Sequence, residues 1–256
     1  MTRKLFFMLF LFGIFANGVY GQDSLAYKSK WQTKILVGMN IPITKPQTEI
    51  DYLFQYDDYS FYIQPPLAIS CFFHKHWGLE ANFQVGYSSG IGKRGDKFVA
   101  AMQSEYGDKY YVRAGADGPS FSFFRGYAGI IYRLETNKFY VYPKFSIGVL
   151  VFDTELKNVG LKEKNSNYEY TIWYSSTNKT DYHSYFTLAS SASFGYKIVK
   201  RLYLNADIML SYFKTNTVFE KEVTNLYTKE KTAEYFDYKK NIFTLSLSAG
   251  LIYVIY

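Results

Sequence analysis

The sequence predicts an all-β protein: a transmembrane, up-and-down antiparallel β-barrel of eight strands, with short turns at one end and four long loops at the other. Three observations carry this. Apolar and polar residues alternate with period two through eight segments. The connections between those segments alternate short and long without exception. The chain is also unusually aromatic, with 27 Tyr and 23 Phe among 256 residues against six Pro and three His, and no stretch after residue 21 approaches a transmembrane helix in length.

Residues 1–21 read as a secretory signal peptide. Arg3 and Lys4 supply the basic start, an apolar run extends from Leu5 to Phe15, and Val19 and Gly21 supply small residues before a cleavage site. That run is far shorter than the roughly 20 residues a spanning helix needs. The exported chain is then the single barrel domain 22–256, starting at Gln22, and its net charge falls from +7 to +5 as Arg3 and Lys4 leave. Its lone cysteine, Cys71, cannot form an intramolecular disulfide and is no amino-terminal lipid attachment site.

The eight segments are Trp31 to Ile41, Tyr59 to Phe73, Trp77 to Tyr87, Phe121 to Tyr132, Phe139 to Phe152, Tyr185 to Lys197, Leu202 to Phe213 and Asn241 to Tyr256. Each suffices for a tilted spanning strand of about 9 to 11 residues. In the third, Trp77, Leu79, Ala81, Phe83, Val85 and Tyr87 alternate with Gly78, Glu80, Asn82, Gln84 and Gly86. In the seventh, Leu202, Leu204, Ala206, Ile208, Leu210 and Tyr212 oppose Asn205, Asp207 and Ser211. The last sets Phe243, Leu245, Leu247, Ala249, Leu251, Tyr253 and Ile255 on one face and Thr244, Ser246, Ser248 and Gly250 on the other.

A soluble sandwich shows similar alternation, so the connections decide. Residues 74–76, 133–138 and 198–201 form tight joins, whereas 42–58, 88–120, 153–184 and 214–240 are long. That sorting suits periplasmic turns and extracellular loops, and an even strand number returns both termini to the periplasmic side. Pairing of the last strand with the first removes both free edges. Aromatic girdles are expected at both water interfaces: Phe73, Trp77, Tyr132, Phe139, Tyr196 and Tyr253 at the periplasmic end, and Tyr59, Phe61, Tyr87, Phe121 and Phe152 at the other.

The closing strand resembles that of the small OmpA-type, porin-like outer-membrane barrels, which carry Gly, an aromatic three residues on, and a large apolar residue after two more. Gly250, Tyr253 and Ile255 occupy those places, and the aromatic final residue, Tyr256, lies one position beyond the pattern. The resemblance implies an outer-membrane location and recognition of this terminal strand by the barrel-assembly machinery. It implies no activity and no cofactor.

An eight-stranded barrel has room for its own side chains or something small. Lys34, Glu80, Arg125, Lys144 and Asp207 read as inward. Lys34, Glu80, Lys144 and Asp207 lie about three to six residues from the periplasmic ends of their strands, hence at similar height. They are expected to pair into a plug, because buried charges persist when partnered; the alternative is a selectivity ring in a narrow ion or small-solute pore. Six inward glycines (Gly38, Gly86, Gly129, Gly148, Gly195, Gly250) suggest a crowded lumen, and Pro65, Pro66 and Pro143 imply bulges. Small outward residues, Gly126 and Ala128 on the fourth segment and Ser190 and Ala192 on the sixth, leave room for a membrane-protein partner or for an ordinary lipid face.

Enzymatic readings find little support. Lipid-modifying or proteolytic chemistry needs a base beside a nucleophile, yet His183 and Ser184 are adjacent and so face opposite sides of a strand. His74 and His76 lie in a turn with one Lys between them, and neither a phosphate-binding Gly loop nor metal-ligand Cys spacing occurs. The chemistry reads as non-enzymatic, structural or surface-binding through the loops, with membership of a larger outer-membrane complex as a further alternative.

Residues 95–108 break the strand pattern and predict a short external helix, with Asp96 placed to cap and Gly107 to terminate it. Arg94, Gly95 and Asp96 spell an adhesion-like tripeptide, and Asn178 with Thr180 a glycosylation triplet that is uninformative in bacteria. Loops three and four carry Tyr-rich strips expected to extend the hairpins, and lysines placed to meet anionic lipopolysaccharide. Scattered charge and export argue against nucleic acid.

Overall fold

The computed structural model describes residues 30–45, 51, 60–88, 94–114, 121–153, 157–177 and 182–255. The signal peptide, Tyr59, the Asn178–Thr180 triplet and Tyr256 lie outside the described residues. In chain order the elements are β1 (Lys30–Pro42), β2 (Ser60–Phe72), β3 (Trp77–Ser88), α1 (Arg94–Tyr106), β4 (Tyr110–Ala114), β5 (Phe121–Tyr132), β6 (Leu134–Glu135), β7 (Phe139–Asp153), β8 (Lys157–Glu163), β9 (Glu169–Ser176), β10 (Tyr182–Val199), β11 (Leu202–Asn225) and β12 (Lys231–Ile255).

Eight of these close a ring, β1-β2-β3-β5-β7-β10-β11-β12, every neighbouring pair antiparallel. Closure runs from Trp31 opposite Ile255 to Pro42 opposite Thr244. The short turns gather at one end of the ring, here the near end, and the long connections at the other, the far end. None of the described helices is long and apolar enough to cross a membrane.

The ring is inverted relative to a soluble core. On β3 the polar Glu80, Asn82 and Gln84 are buried while Leu79, Phe83 and Val85 are exposed, and β12 likewise buries Thr244 and Ser246 but exposes Leu247, Leu251 and Ile255. Apolar side chains outside and polar ones inside fit a protein whose solvent is lipid. Aromatic pairs mark the near rim, Trp77 against Tyr132 at 4.8 Å and Phe139 against Tyr196 at 5.2 Å between centroids. One girdle assignment is corrected: Phe152 is buried inside the barrel. It lies an even number of residues from Lys144, and period-two alternation puts both on the lumen face.

The prolines act in two different ways. Between Gln64 and Ala68 of β2, residues 65–67 stand opposite the single residue Ile35 of β1, and residues 64–68 stand opposite 82–84 of β3. Two extra residues, rather than one, leave both halves of β2 with the same lumen face. Pro143 makes no bulge, against expectation. The β5 register ends at Ile131 opposite Lys144 and resumes unshifted with Leu134 of β6 opposite Val141. A missing donor interrupts the ladder there without inserting a residue.

Beyond the ring the long connections extend the same sheet outward. β11 and β12 stay paired as far as Thr224 opposite Lys231, and the order continues β11-β9-β8-β4. The fourth loop thus extends its hairpin as expected. The third does not: β8 and β9 pair with each other, and β9 joins β11 instead of β10. The predicted helix is present as α1, beginning at Arg94, with Asp96 in its first turn. Gly107 N donates to Gln103 O at 2.9 Å where the helix ends.

A candidate functional site in the barrel lumen

Inward residues stack in layers along the barrel axis. At the near end Phe72, Ile131, Tyr140, Tyr142, Tyr203 and Ile252 form an apolar floor, with the Tyr140 and Tyr142 rings stacked at 4.2 Å. Its hydroxyls are used locally. Tyr140 OH donates to Asn205 Oδ1, and Tyr203 OH donates to Glu135 Oε1 at 3.2 Å.

Directly above the floor sits a quartet of charges. Lys34 Nζ is 2.8 Å from Glu80 Oε1 and 3.5 Å from Asp207 Oδ2, and Lys144 Nζ is 3.2 Å and 3.5 Å from the same two oxygens. Each cation therefore stands between both carboxylates. Ser70 Oγ donates to Glu80 Oε2 at 2.9 Å, Asn82 Nδ2 to Glu80 Oε1 at 3.1 Å, and Asn205 Nδ2 to Asp207 Oδ1 at 2.7 Å. The four charges come from β1, β3, β7 and β11, spread around the ring, so one cluster ties together strands that do not touch.

Arg125 does not join the quartet. It pairs with Gln84, four residues farther along β3 than Glu80. There Arg125 Nη1 donates to Asn40 Oδ1 at 3.3 Å, Ser246 Oγ donates to the same oxygen at 2.5 Å, and Asn40 Nδ2 donates to Ser60 Oγ at 3.0 Å. The far end is then shut by a ceiling of Tyr62, Phe123, Leu150, Phe152, Tyr185 and Phe213, with Phe152 and Tyr185 stacked at 5.3 Å.

The apolar ceiling continues into the outer sheet. Met102 of α1, Val159, Leu161, Ile172, Tyr174 and Phe219 belong to the same buried cluster. Lys221 pins the helix over it: Nζ donates to Tyr106 OH at 2.7 Å, lies 3.7 Å from Glu105, and sits above the Tyr106 and Tyr174 rings. Burial drives the Tyr106 and Tyr174 hydroxyls well above the ordinary tyrosine range. Burial opposes the Lys221 charge, but its bond to Tyr106 and the nearby Glu105 and Glu234 outweigh that and raise its pKa. The opposite face of the sheet exposes Tyr111, Trp173 and Tyr235.

No protein-family model and no curated protein matches the chain. Solved structures that resemble it include outer-membrane proteins. A major outer membrane protein from Thermus thermophilus aligns at 12% identity over 90% of this chain and 100% of that one, TM-score 0.44. Neisserial surface protein A aligns at 11% identity over 88% and 96%, TM-score 0.41. Ail, the attachment invasion locus protein of Yersinia pestis, aligns at 10% identity over 88% and 97%, TM-score 0.33.

The remaining candidate residues fall apart spatially. His183 is buried while its neighbour Ser184 faces outward. His74 and His76 keep their rings 6.4 Å apart in the near-end turn, and among the described residues no three His, Cys, Asp or Glu side chains gather as metal ligands. Gly250, Tyr253 and Ile255 lie on β12, with Tyr253 and Ile255 exposed on the outer wall. The aromatic floor and ceiling escaped the sequence reading, although the alternation that places Lys144 inside also places Tyr140, Tyr142 and Phe152 there.

Proposed function

We propose that the chain is a non-enzymatic outer-membrane β-barrel whose lumen is closed and whose working surface is the sheet beyond its far end. In this reading the near end faces the periplasm, the far end faces outside the cell, and the terminal strand with Gly250, Tyr253, Ile255 and Tyr256 is what the barrel-assembly machinery recognises. The observation that carries the closed lumen is the quartet Lys34, Glu80, Lys144 and Asp207, mutually paired between an aromatic floor and an aromatic ceiling. The paired quartet carries no net charge to attract a passing ion, and aromatic rings pack above and below it.

The exposed Tyr111, Trp173 and Tyr235 supply large rigid contact area for a surface ligand. Lys162, Lys231, Lys239 and Lys240 each stand beside a carboxylate, so contact with lipopolysaccharide falls to exposed lysines such as Lys109, Lys164 and Lys229. Single-channel recording in a planar bilayer tests the reading, with heat-modified gel migration as proof of folding. The wild-type barrel is expected to be folded and silent. Lys144→Glu places three carboxylates around Lys34 and is expected to lower heat resistance or admit ion steps. Discrete ion-selective steps from the wild type would replace this reading with the narrow pore.

A further inference from the structure

Among the described residues, the barrel encloses three cationic side chains between its floor and ceiling, Lys34, Arg125 and Lys144, and two carboxylates, Glu80 and Asp207. The quartet cancels itself, which leaves the charge of Arg125. Arg125 is 4% exposed, and its Nε–H has no hydrogen-bond partner among the described residues. Among the described residues its one hydrogen bond is the 3.3 Å contact to the neutral Asn40 amide, its register partner on β3 is the neutral Gln84, and the Phe123 and Tyr127 ring centroids lie 5.3 and 6.0 Å away.

A buried charge with no counter-charge is strongly unfavourable, and arginine cannot escape by losing its proton. Amides and water solvate a cation without cancelling it. Beside Arg125 lies a cavity of about 20 Å³, whose polar lining is Asn40, Ser60, Arg125 and Thr244. About 10–15 Å³ of such space holds one water, so a monatomic ion fits and a sulfate or phosphate does not. The donors suit an anion. Ser60 Oγ accepts from Asn40 Nδ2 at 3.0 Å, which leaves the Ser60 hydroxyl proton to donate elsewhere.

We propose that this cavity is a halide site, in which chloride is held by Arg125 Nε–H and the Ser60 hydroxyl. The ion supplies the one negative charge that the described lumen residues lack, so the stability of the folded barrel depends on halide concentration. The inference goes beyond the closed-lumen reading. Its test reads stability and electron density instead of conductance, so the two fail separately.

The full chain in detergent is heated in sodium chloride and in sodium gluconate of equal ionic strength, gluconate being too large for the cavity. The unfolding midpoint is expected several degrees higher in chloride and to climb with chloride concentration. Arg125→Gln is expected to abolish the difference, and Ser60→Ala to move the dependence to higher chloride. Crystals of the wild type soaked in bromide are expected to show an anomalous peak beside Arg125, a readout that holds even where Arg125→Gln does not fold. Equal midpoints in the two salts, a chloride effect undiminished in Arg125→Gln, or no bromide in the cavity would each overturn the proposal.

Discussion

Glu80 is the residue on which most of the lumen converges. Its two oxygens accept from Lys34, Lys144, Ser70 and Asn82, and its side chain is buried. Removing one partner of a buried ion pair typically costs about 3–5 kcal/mol, because the other charge is left desolvated. Glu80→Gln strands two lysines on the single carboxylate of Asp207. It is expected to destabilise by that order, read as a lower urea midpoint in detergent with an unchanged m-value. Gly195 belongs to the same scale: a Cβ there would overlap the ring of Tyr140, which is held in the floor by Tyr142 and Asn205. Gly195→Val is expected to displace that ring and cost about 1–3 kcal/mol through overpacking, visible as an earlier loss of heat-resistant gel migration.

At the scale of elements, β2 shows what alternation demands. Its two extra residues around Pro65 and Pro66 keep Gln64 above and Ala68, Ser70 and Phe72 below on one face. Deleting Pro65 and Pro66 together leaves Leu67 alone opposite Ile35, an ordinary ladder, and the barrel is expected to assemble. Deleting Pro66 alone turns the lower half of the strand inside out, exposing Ser70 to lipid and driving Ile69 into the lumen. That variant is expected not to appear in the membrane as a heat-modifiable band; equal assembly of the two deletions would refute the face-parity argument.

The helix α1 makes the second element-scale case. Both Tyr106 and Lys221 have folded-state pKa values raised above their unfolded ones. Their contribution is therefore fully present below about pH 10, the unfolded tyrosine value, and is lost as pH rises through the folded values. The loss begins at about pH 10 and is complete only at the folded values, so limited proteolysis is expected to cut α1 faster at pH 11 than at pH 8, and Lys221→Met to permit cutting at both. The spans, the alternation, the quartet residues and this helix were legible because each follows from local periodicity or from parity along one strand. The union of β9 with β11 was not. It depends on which of two long-range partners buries Ile172 and Tyr174, and loop segments with similar alternation carry no local signal of that choice.

For the whole molecule, the proposed function assigns closure and display to different parts of one continuous structure. The ceiling residues Phe123, Phe152, Tyr185 and Phe213 stand on ring strands, and the floor and quartet do too. The exposed Trp173 stands on β9, whose pairing outside the ring is with β8 and β11. Replacing residues 157–176 with a short Gly-Ser turn removes β8 and β9 while leaving every ring ladder in place. α1 then loses the Tyr174 and Ile172 surface it packs on, and the outer reach of β11 and β12 keeps only one neighbour each, which is marginal for an isolated hairpin. The variant is expected to remain heat-modifiable and electrically silent, with α1 open to protease. A conducting variant would show instead that the outer sheet, and not the ring's own side chains, shuts the lumen, and would move the gate from the quartet to the far end.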